Sequence, residues 1–195
     1  MSIKTSAKLL VLGDSGVGKS SLIHLICHST ILSSAHWTIG CAIDVKLFGN
    51  CFLEFWDIGG SRSHKIARSF LYQDYHGIIL VFDSTNNKSR LNLNEWLMEV
   101  ANKTNDKDLE THINAPIITI GTKKDQLPYR ALVEIENKSS VINDSLVRDT
   151  NSSVVNFDLS PRTSNYPPGS ANCEKLTNFF KTVVERRNKR FYNKF

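Results

Sequence analysis

Apolar positions along the chain switch between two spacings, and the switches mark the elements. Ala7 to Leu12 is a short apolar run, the type of a strand buried on both faces. From Lys19 to about His28, Leu22, Leu25 and Ile26 fall at i, i+3 and i+4, the stripe of a helix lying on a sheet. Ser29 to Trp37 has no period and reads as loop. Cys41, Ile43, Val45 and Leu47 then alternate with Ala42, Asp44, Lys46 and Phe48, a strand of period two. Gly49-Asn50 is a two-residue hairpin signal and Cys51 to Trp56 is the returning strand, so the pair should run antiparallel. Ile58 to about Lys65 is loop, followed by a short helix around Ile66 to Asp74. Gly77 to Phe82 is a buried strand. Leu93, Trp96, Leu97 and Val100 predict an amphipathic helix, and Asn102 to Asn114 a polar surface loop. Pro116 to Gly121 is another buried strand. Leu127 to Thr150 is weakly patterned and receives no assignment. Val154 to Leu159 is the last strand. Ser160 to Ser170, with Pro161, Pro167 and Pro168, is loop. Leu176, Phe179, Phe180, Val183 and Val184 predict the final helix.

Strands alternating with helices predict an α/β fold, a three-layer sandwich around a mostly parallel six-stranded sheet with one antiparallel edge hairpin. The 195 residues suit one domain, with a core of about 7–187 and a basic tail of about 188–195. No internal repeat or linker divides it. Ligands of such sheets bind at the carboxyl ends of the strands.

At the end of the first strand stands Gly13-Asp14-Ser15-Gly16-Val17-Gly18-Lys19-Ser20. It matches G-x-x-x-x-G-K-[ST], a phosphate-binding P-loop, in its required place between strand and helix. The glycines let backbone N–H groups turn inward as an anion nest, and the new helix aims its positive end at the same point. Lys19 then reaches the β- and γ-phosphates, and the Ser20 hydroxyl is a Mg²⁺ ligand. Ser21 follows at the same helix start. Further features fall at strand ends. Asp57 ends the third strand, where a carboxylate would hold the Mg²⁺ shell, and Gly60 follows in D-x-x-G, where a glycine N–H approaches a γ-phosphate oxygen. Thr38, before the hairpin, is a candidate second hydroxyl ligand to Mg²⁺, engaged when the γ-phosphate orders its loop. Thr122-Lys123-Lys124-Asp125 follows the fifth strand. Asp125 would accept from N1–H and the exocyclic amine of guanine, a donor pair that adenine lacks, and the Lys123 stem would cover the base plane. A nucleoside-monophosphate kinase would need an Arg-rich lid, and only Arg62 and Arg68 stand in the corresponding region.

Composition narrows the partners. Net charge is +5, much of it in Lys181, Arg186, Arg187, Lys189, Arg190 and Lys194. No aromatic-interleaved basic groove accompanies it, so no nucleic-acid partner is expected. Cys27, Cys41, Cys51 and Cys173 show no C-x-x-C spacing and read as reduced thiols of a cytoplasmic protein. Asn193-Lys194-Phe195 carries no cysteine, so no prenyl membrane anchor is expected.

Together these residues resemble the Ras-superfamily small GTPases, and the Rab branch in particular. The P-loop through Ser21, Thr38-Ile39-Gly40, Trp56-Asp57 with Gly60, and His76 to Val81 carry the resemblance, which spans about Ala7 to Arg187. Trp37-Thr38-Ile39-Gly40-Cys41, Trp56 to Ser61, Gly121 to Gln126 and Pro168 to Asn172 resemble a narrower Rab-like subgroup that also lacks a prenylated end. The resemblance implies a cytoplasmic GTP/GDP switch with Mg²⁺, acting in signalling or trafficking. It also implies a homodimer through the switch-bearing surface, and partners among other small GTPases, their chaperones and effectors. It assigns nucleotide contact to Asp14, Ser15, Gly16, Val17, Gly18, Lys19, Ser20, Ser21, Thr122, Lys123 and Asp125, metal to Ser20, Thr38 and Asp57, and catalysis to Lys19, Thr38, Gly60 and Ser61. Several residues depart from the Rab pattern, Thr122 in place of Asn and the short Gly49-Asn50 loop among them. Ser61 stands where Rabs have the Gln that orients the attacking water, so hydrolysis should be slow. Ile31 stands where an aromatic stacks on guanine. The S-A-K element is not recognisable, and Pro161 near its place cannot donate an N–H. The rival expectation is a catalytically weak, homodimeric GTP-binding scaffold.

Overall fold

The computed structural model describes residues 5–34, 36–104, 113–128, 154–156 and 170–192. Six strands form one sheet: β1 (Thr5–Leu12), β2 (Cys41–Phe48), β3 (Cys51–Ile58), β4 (Gly77–Asp83), β5 (Ile117–Thr122) and β6 (Val154–Asn156). Their order is β2-β3-β1-β4-β5-β6, with every neighbour parallel except the antiparallel β2–β3 hairpin. Among the described residues the helices are α1 (Lys19–His28), α2 (Lys65–Arg68, between two 3₁₀ turns), α3 (Asn87–Leu91), α4 (Leu93–Thr104) and α5 (Ala171–Tyr192). This is the expected sandwich with the expected edge hairpin. Several boundaries differ from the expected ones, and three of them bear on the site. The helix α4 runs two residues past Asn102, β3 continues through Asp57 to Ile58, and Thr122 is the last residue of β5. The unassigned segment 129–150, the end of the last expected strand and the proline-bearing loop 160–169 lie outside the described residues.

The pleat of β1 divides the interior into two cores. Ala7, Leu9 and Val11 face α1 and α5 and pack with Leu22, Ile26, Phe55, Phe179, Phe180 and Val183. Leu10 and Leu12 face the other way and pack with Ile58, Tyr72, Leu80, Phe82, Trp96, Leu97 and Val100. Central strands therefore need apolar residues on both faces, which is why they read as continuous runs.

The edge strand β2 inverts the usual arrangement. Its apolar set Ile43, Val45 and Leu47 is 50–53% exposed. Its polar set faces inward, where Lys46 donates to the Ile26 carbonyl at the end of α1 (2.6 Å) and Asp44 lies 3.6 Å from His28. The helix end demands polar partners for its last carbonyls, and that demand decides the face. The four cysteines are free; burial pushes the Cys27 and Cys41 thiols up to about 11, so both stay protonated at neutral pH. No helix among the described residues is long and apolar enough to cross a membrane.

Phe180 is where α5 locks to the sheet, in edge contact with Phe48 (5.6 Å) and Phe55 (5.8 Å). Truncating it, Phe180→Ala, is expected to lower unfolding free energy by about 3–5 kcal/mol, read by chemical denaturation. A loss below about 1 kcal/mol would mean that α5 is not part of the cooperative core.

Candidate functional site

Sequence makes the phosphate cradle by forcing the chain back under itself. After β1 the backbone of Gly13 takes φ 150°, and a Cβ there would lie 2.1 Å from the Val81 carbonyl oxygen. Only glycine fits such an approach. The loop then enters α1, whose start carries no side-chain cap, so its first N–H groups are left for an anion. Opposite lie His36, Trp37, Thr38 and Gly60, and the two sides enclose a cavity of about 140 Å³ lined also by Ser15, Gly16, Gly18, Lys19, Ser20 and Ser21. Val17, by contrast, is buried in the core.

Lys19 is buried, and its Nζ donates to the carbonyls of Gly13 (2.9 Å) and Asp14 (3.0 Å). Burial pushes its pKa down, against the opposing fields of Asp57 and Asp14. Two backbone acceptors thus fix the ammonium at the cradle floor, with its third N–H left for phosphate.

Beside it, three elements bring oxygens to one point. Ser20 Oγ on α1 donates to Asp57 Oδ2 at 2.5 Å, and Thr38 Oγ1 donates to the same oxygen at 3.0 Å. The two hydroxyls are 3.0 Å apart. Asp57 is 2% exposed, and its Oδ1 has no hydrogen-bond partner among the described residues. A buried carboxylate with an unpartnered oxygen is costly in a protein alone. Two hydroxyls and a carboxylate are also the hard oxygen donors that Mg²⁺ takes, so the residues fit that ion.

The base end is assembled differently. Thr122 is fully buried, and its hydroxyl reaches the Val17 carbonyl at 2.5 Å, so it braces the P-loop from beneath. Lys123 takes a left-handed backbone (φ 56°), and its Nζ pairs with Asp83 at 2.7 Å. Burial would raise the Asp83 pKa, but the Lys123 and Thr85 hydrogen bonds win and hold it below the usual carboxylate value. Asp125 stands exposed on the 3₁₀ turn Lys124–Gln126 just beyond. Ile31 packs against the α1–α5 core. Leu159, Ser160 and Pro161 lie outside the described residues.

Comparison with known proteins decides the family. The family described as "Ras of Complex, Roc, domain of DAPkinase" matches residues 8–125. The chain is 38% identical to Rab-like protein 3 of Mus musculus, over 92% of this chain and 85% of that one. It is 36% identical to Rab-like protein 3 of Danio rerio, over 92% and 86%. It is also 32% identical to the small GTPase-like protein LIP2 of Arabidopsis thaliana, over 69% of this chain and 42% of that one. The chain belongs to the Rab-like small GTPases of the Ras superfamily.

In this Rab-like GTPase the loop after β3 is held by residues whose role the sequence reading did not foresee. Gly60 rests directly on the P-loop: a Cβ there would fall 2.4 Å from the Ser15 nitrogen and 2.6 Å from the Gly13 oxygen. The next residue, Ser61, shares a 2.7 Å hydroxyl contact with Ser63, and its carbonyl accepts from Arg68 Nη1 at 2.5 Å. Arg68 makes a bidentate pair with Glu99 (2.6 and 2.8 Å), and Tyr72 donates to the same carboxylate at 2.8 Å. Burial works to raise the Glu99 pKa, but the bonds from Arg68 and Tyr72 outweigh it and hold it below the ordinary value. The Asp14 side chain turns away from the cavity and accepts from Asn92 Nδ2 (2.7 Å) and Trp96 Nε1 (2.9 Å). Asn92, Trp96 and Glu99 recur at i, i+4 and i+7, a pattern that mixes polar groups into an apolar stripe and is the one sequence signal for this cluster.

Two expectations follow. Gly60→Ala must displace backbone, since the obstructing atoms are the P-loop's own; GTP affinity and turnover should both fall, by roughly tenfold or more, with unchanged values contradicting the packing. Because the folded pKa of Glu99 is depressed, its stabilisation is complete above about pH 4.3 and is lost as pH falls through the folded value. Unfolding free energy measured from pH 6 down to 3 should therefore drop less steeply in Glu99→Gln than in the unsubstituted chain; parallel curves would contradict the pair.

Proposed function

We propose that this Rab-like GTPase is a Mg²⁺-dependent GTP/GDP switch with slow intrinsic hydrolysis. The observation that carries the reading is the buried Asp57 carboxylate, with the Ser20 and Thr38 hydroxyls on one oxygen and the other without a hydrogen-bond partner among the described residues. Thr38 belongs to the loop between α1 and β2, so a γ-phosphate that draws Thr38 inward also reports nucleotide state to that loop.

In the reaction, a water oxygen attacks the γ-phosphorus, the bond to the β–γ bridging oxygen breaks, and GDP and phosphate leave. Lys19 balances charge on the β- and γ-phosphates, and the Gly60 N–H meets a γ-oxygen. Mg²⁺, held by Ser20, Thr38 and Asp57, would neutralise charge on the phosphate oxygens. Ser61 carries a hydroxyl too short to bridge water and γ-phosphate as a Gln does, and the slow rate is attributed to that. At the other end Lys123 covers guanine and Asp125 accepts its N1–H and amine. Likeness to the Rab branch supports a cytoplasmic setting, a role in signalling or trafficking, and partners among other small GTPases, chaperones and effectors.

A second reading, a homodimeric GTP-binding scaffold, is favoured by one observation. Trp37 and Ile39 are each 86% exposed, and Ile43, Val45, Leu47, Ile66 and Phe70 are exposed as well. Apolar side chains of this size at the surface mark association faces. Melting temperature with and without GTP–Mg²⁺ tests the nucleotide binding that both readings share, because a ligand that binds the folded state must raise it. Turnover then separates them: a switch releases phosphate from bound GTP, and a scaffold keeps it intact.

Base recognition has its own test. In Asp125→Asn the side-chain carbonyl still accepts N1–H, but its NH₂ now opposes the guanine amine. Xanthine carries a carbonyl there instead. GTP affinity should fall at least roughly a hundredfold and xanthosine triphosphate affinity should rise, both measured by competition. Unchanged GTP affinity would remove Asp125 from the base site.

A further inference from the structure

Asn92, the residue just before α4, and Trp96 and Glu99 within it recur at i, i+4 and i+7, each at least nine-tenths buried. Trp96 serves two loops at once. Its indole N–H donates to the Asp14 carboxylate in the P-loop, while the Arg68 guanidinium lies 4.3 Å over its ring. Arg68 in turn holds the Ser61 carbonyl and is itself fixed by Glu99. Edge and face of one aromatic ring thus tie the phosphate cradle to the loop that carries Ser61.

We propose that α4 is a strut that sets the spacing of these two loops, with Trp96 as the shared contact and Asp14 and Arg68 as positioning residues. The chemistry at each joint favours rigidity. The Asp14 carboxylate takes one N–H on each oxygen, from Asn92 and Trp96, and both donors belong to the same helix end. Its backbone carbonyl is also one of the two acceptors of Lys19 Nζ, so a shift of Asp14 moves the ammonium. At the far joint the planar guanidinium satisfies a carboxylate bidentately, stacks on the indole and still spares an N–H for Ser61. A lysine has no such fork. With Ser61 in the place of a water-orienting Gln, the backbone of this loop is what remains to be positioned, and a displacement near 1 Å costs on the order of a hundredfold in rate. The consequence for hydrolysis rests on the GTPase reading above; the mechanical coupling does not.

A competing route for coupling is the direct contact of Gly60 on the P-loop. Amide hydrogen exchange on the full chain separates the two. In Arg68→Lys, exchange at P-loop amides 14–18 should rise about tenfold although Arg68 is not in that loop. In Asp14→Ala, exchange at 61–64 should rise similarly, as reciprocity of coupling requires. In a Trp96→Phe background, which keeps the ring and removes the donor, neither effect should cross to the other loop. Effects confined to the substituted loop overturn the strut. Effects that still cross with Phe at position 96 assign the coupling to Gly60 and overturn it too. Trp96→Phe alone, the mildest change, should quicken exchange at 14–18 several-fold with the melting temperature nearly kept, so the idea stays testable if Asp14→Ala does not fold. Single-turnover GTP hydrolysis should slow roughly tenfold in Trp96→Phe while GDP affinity stays within about threefold. If the unsubstituted protein never turns GTP over yet the exchange effects cross as stated, the hydrolysis reading fails and the strut stands.

Discussion

A carboxylate buried in a parallel sheet sets the terms for this molecule. Asp57 stands near the carboxyl end of β3, 2% exposed, between the two cores. A charge in that position must be balanced by groups brought to it. Ser20 comes from the first turn of α1 and Thr38 from the loop entering β2, and both hydroxyls settle on one carboxylate oxygen. The Gly59 N–H closes the corner by donating to Gly40 at 2.9 Å. Gly60 is thereby laid against the P-loop. The Thr38 loop and the first residues after β3 are tied together at this one corner.

Much of this was legible in the chain. The P-loop fits its pattern because turn, nest and helix start each demand a residue type, and the demands fall at fixed spacing. The strands were legible because two buried faces leave no room for polar positions. Other features were hidden for physical reasons. The alternation of β2 announced a strand but not its inner face, which was decided by the carbonyl of Ile26 needing Lys46. Thr122 read as a residue of the base loop, yet one residue of extra strand puts it beneath the P-loop. Arg68 and Glu99 are 31 residues apart, and no local pattern pairs them. Trp96 fitted an apolar stripe and is core, but its indole N–H needs an acceptor when buried, and Asp14 supplies it.

The two ends of the nucleotide site differ in construction. The phosphate end is braced by backbone and buried side chains: Lys19 on two carbonyls, Thr122 under Val17, Asp14 on α4. Asp125, expected to read the base, stands exposed on a short turn, and Ile31 packs against the core.

Whether the proposed site binds GTP with Mg²⁺ and hydrolyses it slowly is decided by single-turnover hydrolysis on purified protein, with the bound nucleotide first identified and Mg²⁺ then added or withheld. Guanine nucleotide is expected on the protein, with phosphate release that is slow and requires Mg²⁺. An empty protein, or GTP that stays intact through many hours with Mg²⁺ present, would contradict it.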